Sequence, residues 1–186
     1  MSESLKTVTA ATDTCVSLTE AKLHLKVENT TDDSLITILI KAAQDAVEAF
    51  TNRVLMSTTF ELQLDEFCGD DITLPVAPVS SVTSIKYYDA DNSEQTMAAG
   101  NYFYSINQEP MEVEFVTLPA VYPYRFDAIK VQFVAGYANA AAVPNSLKQA
   151  VLLLVGDMYE NRMDLPRERF SMWKQLVYSY KVFYAS

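Results

Sequence analysis

VPNSLKQAVLLLVGDMYENR, running from Val143 to Arg162, reads as a helix. Pro144 fixes φ at or beside the first helical position, and Asn145 or Ser146 can cap the open amides at that end. Leu147, Val151, Leu154 and Met158 then recur at helical spacing. Leu152, Val155 and Tyr159 line an adjacent row, so the apolar arc is wider than a surface helix of a monomer needs. Such a helix has two neighbours to satisfy: two sides of one core, or a core on one side and a second subunit on the other. Gly156, which costs about 1 kcal/mol relative to Ala inside a helix, suits close backbone packing or a bend.

Upstream lies its natural companion. Asp32 and Asp33 stand where negative charge favours a helix start, and a long helix follows to about Asn52. Leu35, Leu39, Ala42, Ala46 and Phe50 form one stripe on it, with Ile36, Ile40, Ala43 and Val47 beside them. The small residues Ala42, Ala43, Ala46 and Ala49 permit close approach by another helix, most simply the one from Pro144. Before it, Ser17-Leu18-Thr19-Glu20 is a capping box opening a short helix to about Leu25 or Lys26. The Ser- and Thr-rich residues 1–16 carry no periodic pattern and are expected to form a flexible N-terminal arm.

Between the long helices the chain changes character. From Ser57 to Tyr137 it is dense in Thr, Val, Tyr and Phe, and five of its prolines (Pro75, Pro78, Pro110, Pro119, Pro123) punctuate turns. Phe60, Leu62 and Leu64 alternate with polar residues, as do Tyr102, Tyr104 and Ile106, and Ile129, Val131 and Phe133. Val82 to Tyr88 and Glu94 to Met97, joined by Asp89-Ala90-Asp91-Asn92-Ser93, suggest a hairpin. The expected fold class is α+β: a helical layer from residues 17–55 and 138–163, an inserted antiparallel β-domain over 56–137, and an amphipathic C-terminal helix within 164–186. That last helix starts near Pro166 and carries an aromatic seam of Phe170, Trp173, Val177, Tyr180 and Tyr184. Such a seam suits a core or an interface.

The 186 residues are 49% hydrophobic, enough for a packed core, and no apolar run is long enough to span a bilayer. The net charge of −10 argues against general affinity for nucleic acid, because phosphate binding rests on Lys and Arg. From Asn161 onward, however, five basic residues face two acidic ones, giving +3 there and −13 elsewhere. An acidic body with a basic tail points to an interaction segment, unless the tail is simply a helix with a solvated basic face.

Residues that could carry catalysis are sparse. The Asp89 loop lacks the turn glycine and the bidentate Glu of a calcium loop, with Glu94 and Gly100 at those positions. His24, the one histidine, has no nucleophile motif near it and reads as a surface or packing residue. Cys15 and Cys68 lack metal-ligand spacing and read as thiols. The four glycines are isolated, which excludes a glycine-rich phosphate loop. Asp70-Asp71 read as loop acids rather than as a hydrolytic pair.

Taken in order, Leu18-Thr19-Glu20-Ala21-Lys22-Leu23-His24-Leu25, Asp32-Asp33 and the helix to Thr51-Asn52-Arg53 resemble the head-tail connector (adaptor) proteins of long-tailed bacteriophages, in their longer form with an inserted β-domain. So do Leu74-Pro75, Pro78-Val79, Ile85-Lys86-Tyr87-Tyr88-Asp89, Ala135-Gly136-Tyr137, Val143-Pro144 and Tyr159-Glu160-Asn161-Arg162. The C-terminus is more aromatic and basic than the family pattern. The resemblance implies a non-enzymatic ring in the virion neck without cofactor, metal or membrane, assembled in the host cytoplasm. Its implied partners are further copies of itself (a dodecamer), the portal, a downstream neck or tail-completion protein, and DNA passing without sequence-specific binding between acidic walls. On that basis Leu152, Val155 and Tyr159, with Ile36, Ile40 and Val47, are expected at the subunit interface. Arg167, Arg169, Phe170, Trp173, Lys174, Tyr180 and Lys181 are expected at the portal contact. The competing classes are a β-rich tail or adhesion protein and a carboxylate-based hydrolase.

Overall fold

The structure, a computed structural model, describes residues 3–67, 69–161 and 172–184. Its elements follow in order as β1 (Glu3–Thr9), α1 (Leu18–Leu25), α2 (Asp33–Thr51), β2 (Thr58–Leu64), β3 (Asp71–Thr73), β4 (Val79–Tyr88), β5 (Glu94–Thr96), β6 (Tyr102–Tyr104), β7 (Glu112–Phe115), β8 (Ile129–Ala135), α3 (Asn145–Glu160) and α4 (Met172–Val177). The class is α+β with antiparallel sheets. Two compact units divide the chain: a β unit of 1–11, 57–136 and 182–186, and a helical unit of 12–56 and 137–181.

In the helical unit, the first turn of α1 is set by a complete capping box. The Ser17 N–H donates to Glu20 Oε2 at 2.7 Å, and the Glu20 N–H donates to Ser17 Oγ at 3.2 Å. Lys26 and Asn52 end α1 and α2 in the left-handed conformation. α3 packs against α2, and α1 against both. His24 lies beside Gly156, where an added Cβ would sit 3.5 Å from the imidazole Nε2. The glycine therefore lets α1 come close to α3 without excluding a methyl group.

A chain of polar contacts ties the ends of this unit together. The Cys15 N–H donates to Gln44 Oε1 at 2.9 Å, the Gln44 amide donates to Glu48 Oε1 at 3.0 Å, and the Leu55 N–H donates to the same oxygen at 2.8 Å. Two loop amides that α2 itself cannot satisfy are thereby paired. The enclosure has electrostatic consequences. Burial pushes the Glu48 carboxyl above its usual range, against the pull of the two hydrogen bonds. Burial, followed by the charge of Glu48, pushes the Cys15 thiol up to about 12, so it is protonated at neutral pH.

In the β unit, a five-stranded sheet runs β1-β2-β8-β4-β5 and a three-stranded sheet runs β3-β7-β6. β2 and β8 alternate strictly between buried and half-buried residues. Their register puts Phe60 opposite Phe133 and Leu62 opposite Val131, and the two Phe rings stack at 5.8 Å. β4 buries every third residue, Val79, Val82 and Ile85, because register shifts at 79–81 and 82–84 each insert one residue opposite β8.

Two terminal expectations change. Within 1–16, expected as a flexible arm, Glu3–Thr9 form β1, paired with β2 through the register Leu5 to Leu62, and Cys15 and Val16 are buried. Every residue of β1 is exposed, so the strand is held by its backbone ladder rather than by side-chain burial. The C-terminal helix extends to Val177 rather than Tyr184; a 3-10 turn covers Tyr178–Tyr180, and Lys181 is extended. Arg53 Nε donates to the Tyr180 carbonyl at 2.6 Å, which captures an acceptor that a further helical turn would need. Residues 162–171 lie outside the described residues, and with them the proposed start of that helix at Pro166.

Candidate subunit and partner interfaces

The two apolar rows of α2 have distinct environments. Ile36, Ile40, Ala43 and Val47 are buried within the chain. The other row keeps surface: Leu35, Leu39 and Ala46 are half-buried, Ala42 and Ala49 are exposed, and Ile38 at its edge is 66% exposed. Ile36, Ile40 and Val47, expected at the subunit interface, are thus covered by their own chain. The sequence missed Ile38. It sits one position outside both stripes, beside Thr37 and Lys41, and its exposure becomes visible only once the covered side of α2 is known.

α3 carries the other three residues expected at that interface. Val155 is buried together with Leu147, Ala150, Val151 and Leu154. Tyr159 is turned towards its own chain, its hydroxyl donating to Asp32 Oδ2 at 2.5 Å at the start of α2. Leu152 and Met158 each keep part of their surface.

Of the residues expected at a portal, Arg167, Arg169 and Phe170 lie outside the described residues. Trp173, Lys174, Tyr180 and Lys181 gather at the end of α2. Trp173 meets Phe50 edge to face at 5.3 Å, Lys174 and Lys181 lie 5.6 and 4.8 Å from the Phe50 ring, and Arg53 lies over Tyr180 at 5.9 Å. The aromatic seam thus has an occupant in its own chain at Phe50. Met172 and Tyr178 keep the free surface of this segment.

Charge is divided unevenly. Residues 57–136 hold twelve acidic and three basic side chains, a net −9 out of the chain's −10. The three basic ones are engaged with acids. Lys86 and Lys130 contact Glu94 at 3.2 and 3.3 Å, and Arg125 holds Asp127 through two hydrogen bonds of 3.0 and 2.8 Å. These bonds hold the Asp127 and Glu94 carboxyls below their usual range. The Asp89 carboxylate accepts from the Asp91 and Ser93 N–H groups and from Gln95, so this loop is closed by its own acid, whose ionisation is favoured by those bonds. Among the described residues no cluster of three or more His, Cys, Asp or Glu is arranged to hold a metal ion. None of the described helices is long and apolar enough to cross a membrane.

Comparison with known proteins addresses the whole chain. A chain from the neck of an empty GTA particle, computed with C6 symmetry, superposes with a TM-score of 0.85 at 28% identity, covering 98% of this chain and 97% of that one. A chain from the virion of a native gene transfer agent particle matches with a TM-score of 0.83 at 29% identity over the same shares. One from the neck of a native GTA particle, computed with C12 symmetry, matches with a TM-score of 0.81 at 28% identity, again over 98% and 97%. No curated protein matches. The family model for head completion protein matches residues 14–170, from the buried Cys15 through both long helices and strands β2 to β8. The chain belongs to the head completion protein family and is a structural head-tail connector of the virion neck.

Proposed function

We propose that twelve copies of this chain close into a ring between the portal and the next neck or tail-completion protein, with DNA passing through the centre. The observation that carries this reading is the match over nearly the full length of both chains to a neck computed with C12 symmetry. A closed ring needs two different patches on each subunit, one for each neighbour. The exposed row of α2 formed by Ile38, Ala42 and Ala49 is one such patch, and the free part of Leu152 contributes to subunit contact. The basic C-terminal segment, with Arg167 and Arg169, reaches the portal. Acidic side chains line the conduit, where repulsion of phosphates keeps DNA from sticking. The chain performs no catalysis and assembles in the host cytoplasm.

Native mass measurement of Ile38→Glu in the presence of portal tests the ring contact. Rings are expected to disappear while the far-ultraviolet spectrum of the subunit is kept; rings of unchanged mass and yield would refute this face. Paired substitution Arg167→Glu and Arg169→Glu tests the portal assignment. Binding to portal-bearing heads is expected to fall, and undiminished binding at low salt would overturn it.

A further inference from the structure

Each sheet of the β unit sets two like charges opposite one another, and only one of the sheets supplies the counter-charge. In the five-stranded sheet Lys86 of β4 stands opposite Lys130 of β8, and Glu94 of β5 reaches both, at 3.2 and 3.3 Å. In the three-stranded sheet Asp71 of β3 stands opposite Glu114 of β7. Residues 65–78 and 97–118, which hold this sheet and its turns, carry seven acidic side chains and no Lys or Arg. Among the described residues neither Asp71 nor Glu114 enters an ion pair. Like charges directly opposite across strands repel, so this pair lacks what Glu94 gives to Lys86 and Lys130.

The row ends on an aromatic ring. Phe103 of β6 is registered with Glu114 from the other side, so Asp71, Glu114 and Phe103 lie in one line across the sheet and on one surface of it. The opposite surface holds Ile72 and Val113, both buried. Phe103 is 61% exposed, and Val116, two positions along from Glu114 on the same surface, is 55% exposed. Two carboxylates beside an uncovered ring suit an arginine, whose guanidinium donates to carboxylates while its plane stacks on an aromatic face. A bare metal ion would gain nothing from Phe103 and Val116. DNA has the wrong sign, and the same surface of a second copy carries the same acids and is repelled.

We propose that the row Asp71, Glu114 and Phe103 docks an arginine-bearing surface of a protein other than this chain. The assignment to another protein rests on the ring reading above, which gives subunit contact to the helical unit.

The test uses full-length protein assembled on portal-bearing heads and read in three arms: ring mass, retention on heads, and joining to purified tails scored by electron microscopy. Asp71→Asn/Glu114→Gln removes the charges and their repulsion together. The subunit alone should therefore melt no lower than wild type, while retention or joining falls about tenfold at unchanged ring mass. Phe103→Ala should weaken the same arm. Wild-type association in that arm should weaken as salt is raised, and that of the neutral pair should depend on salt less. Retention and joining both at the wild-type level overturn the proposal. So does loss of rings by a folded variant, which would make the row a self-contact, and so does a fall with Phe103→Ala alone, which would leave the carboxylates no part in docking. If wild-type protein itself forms no rings on heads, the ring reading fails, and with it the allotment of this row to another protein.

Discussion

Glu48 in the helical unit and Asp127 in the β unit are both held by hydrogen bonds, yet their ionisation is shifted in opposite directions. Glu48 is enclosed, and the loss of water outweighs the Leu55 and Gln44 donors, so its protonated form gains on folding. Asp127 stays near solvent and receives a cationic fork from Arg125, so its charged form gains. The helical unit uses polar side chains as internal ties for its loops. The β unit, with nearly all the net charge, uses them to pin surface loops. That division separates polar groups enclosed by packing from polar groups held at the surface, and each prediction here tests one side of it.

The largest effect is expected from Val155→Glu in α3. Val155 has no exposed area, and a buried carboxylate without a partner costs more than about 4 kcal/mol, so the helical unit should not fold. Denaturant titration and soluble yield measure it. The contrast is Ile38→Glu, which at 66% exposure should change subunit stability by only about 0.5 kcal/mol. If Ile38→Glu were as damaging as Val155→Glu, α2 would have a covered face that the single chain does not show.

In the β unit the corresponding core change is Phe133→Ala. Phe133 is buried at the middle of the central strand β8, stacked on Phe60 and registered with Val82. Its loss should cost about 3 to 5 kcal/mol, read as a lower denaturation midpoint. A cost below about 1 kcal/mol would show that the sheet tolerates a hole at its centre, contrary to close packing.

The carboxylates give a smaller effect with opposite signs. A carboxyl whose folded pKa is raised contributes stability that is present at low pH and lost as pH rises through that pKa. Glu48→Gln should therefore remove a decline in stability seen above the ordinary carboxylate range, and be neutral or stabilising at pH 7. For Asp127 the folded pKa is lowered, so its contribution is present at pH 7 and lost as pH falls through the acid range. Asp127→Asn should flatten that acid-side loss. Difference curves against wild type check both, and matching slopes for the two variants would erase the contrast between the units.

What the sequence made legible was local. The Ser17 and Glu20 capping box, the length of α2, and the alternation of β2 and β8 are written in residues that satisfy one another within a few positions. β4 was only partly legible, since its spacing of Val79, Val82 and Ile85 makes sense only beside the shifted register of β8. β1 escaped because ESLKTVT buries nothing and pairs with a strand at least fifty residues away. Which row of α2 is covered by the chain itself was not legible for a related reason. Two equal apolar rows lie side by side, and tertiary packing alone decides that Ile36 and Val47 are covered while Leu35, Ala42 and Ile38 keep surface. At the C-terminus, spacing revealed an aromatic seam, but Phe50 and Arg53 had already claimed part of it.

The smallest expected change sharpens the reading of α3 as an internally packed helix. Gly156 sits inside it with a methyl's room before His24, so the question left by the sequence, close packing or a bend, becomes measurable. Gly156→Ala should stabilise the helical unit by about 0.5 to 1 kcal/mol, because Ala restricts the unfolded chain and the 3.5 Å contact to the imidazole is an ordinary one. Gly156→Val adds two branches against His24 and Leu25 and should reverse the gain. A rise in melting temperature for Ala and a fall for Val would locate the limit of approach of α1 at that side chain. If Ala were destabilising, α1 would lie closer to α3 in solution than the 3.5 Å contact allows, and Gly156 would be required for packing rather than only compatible with it.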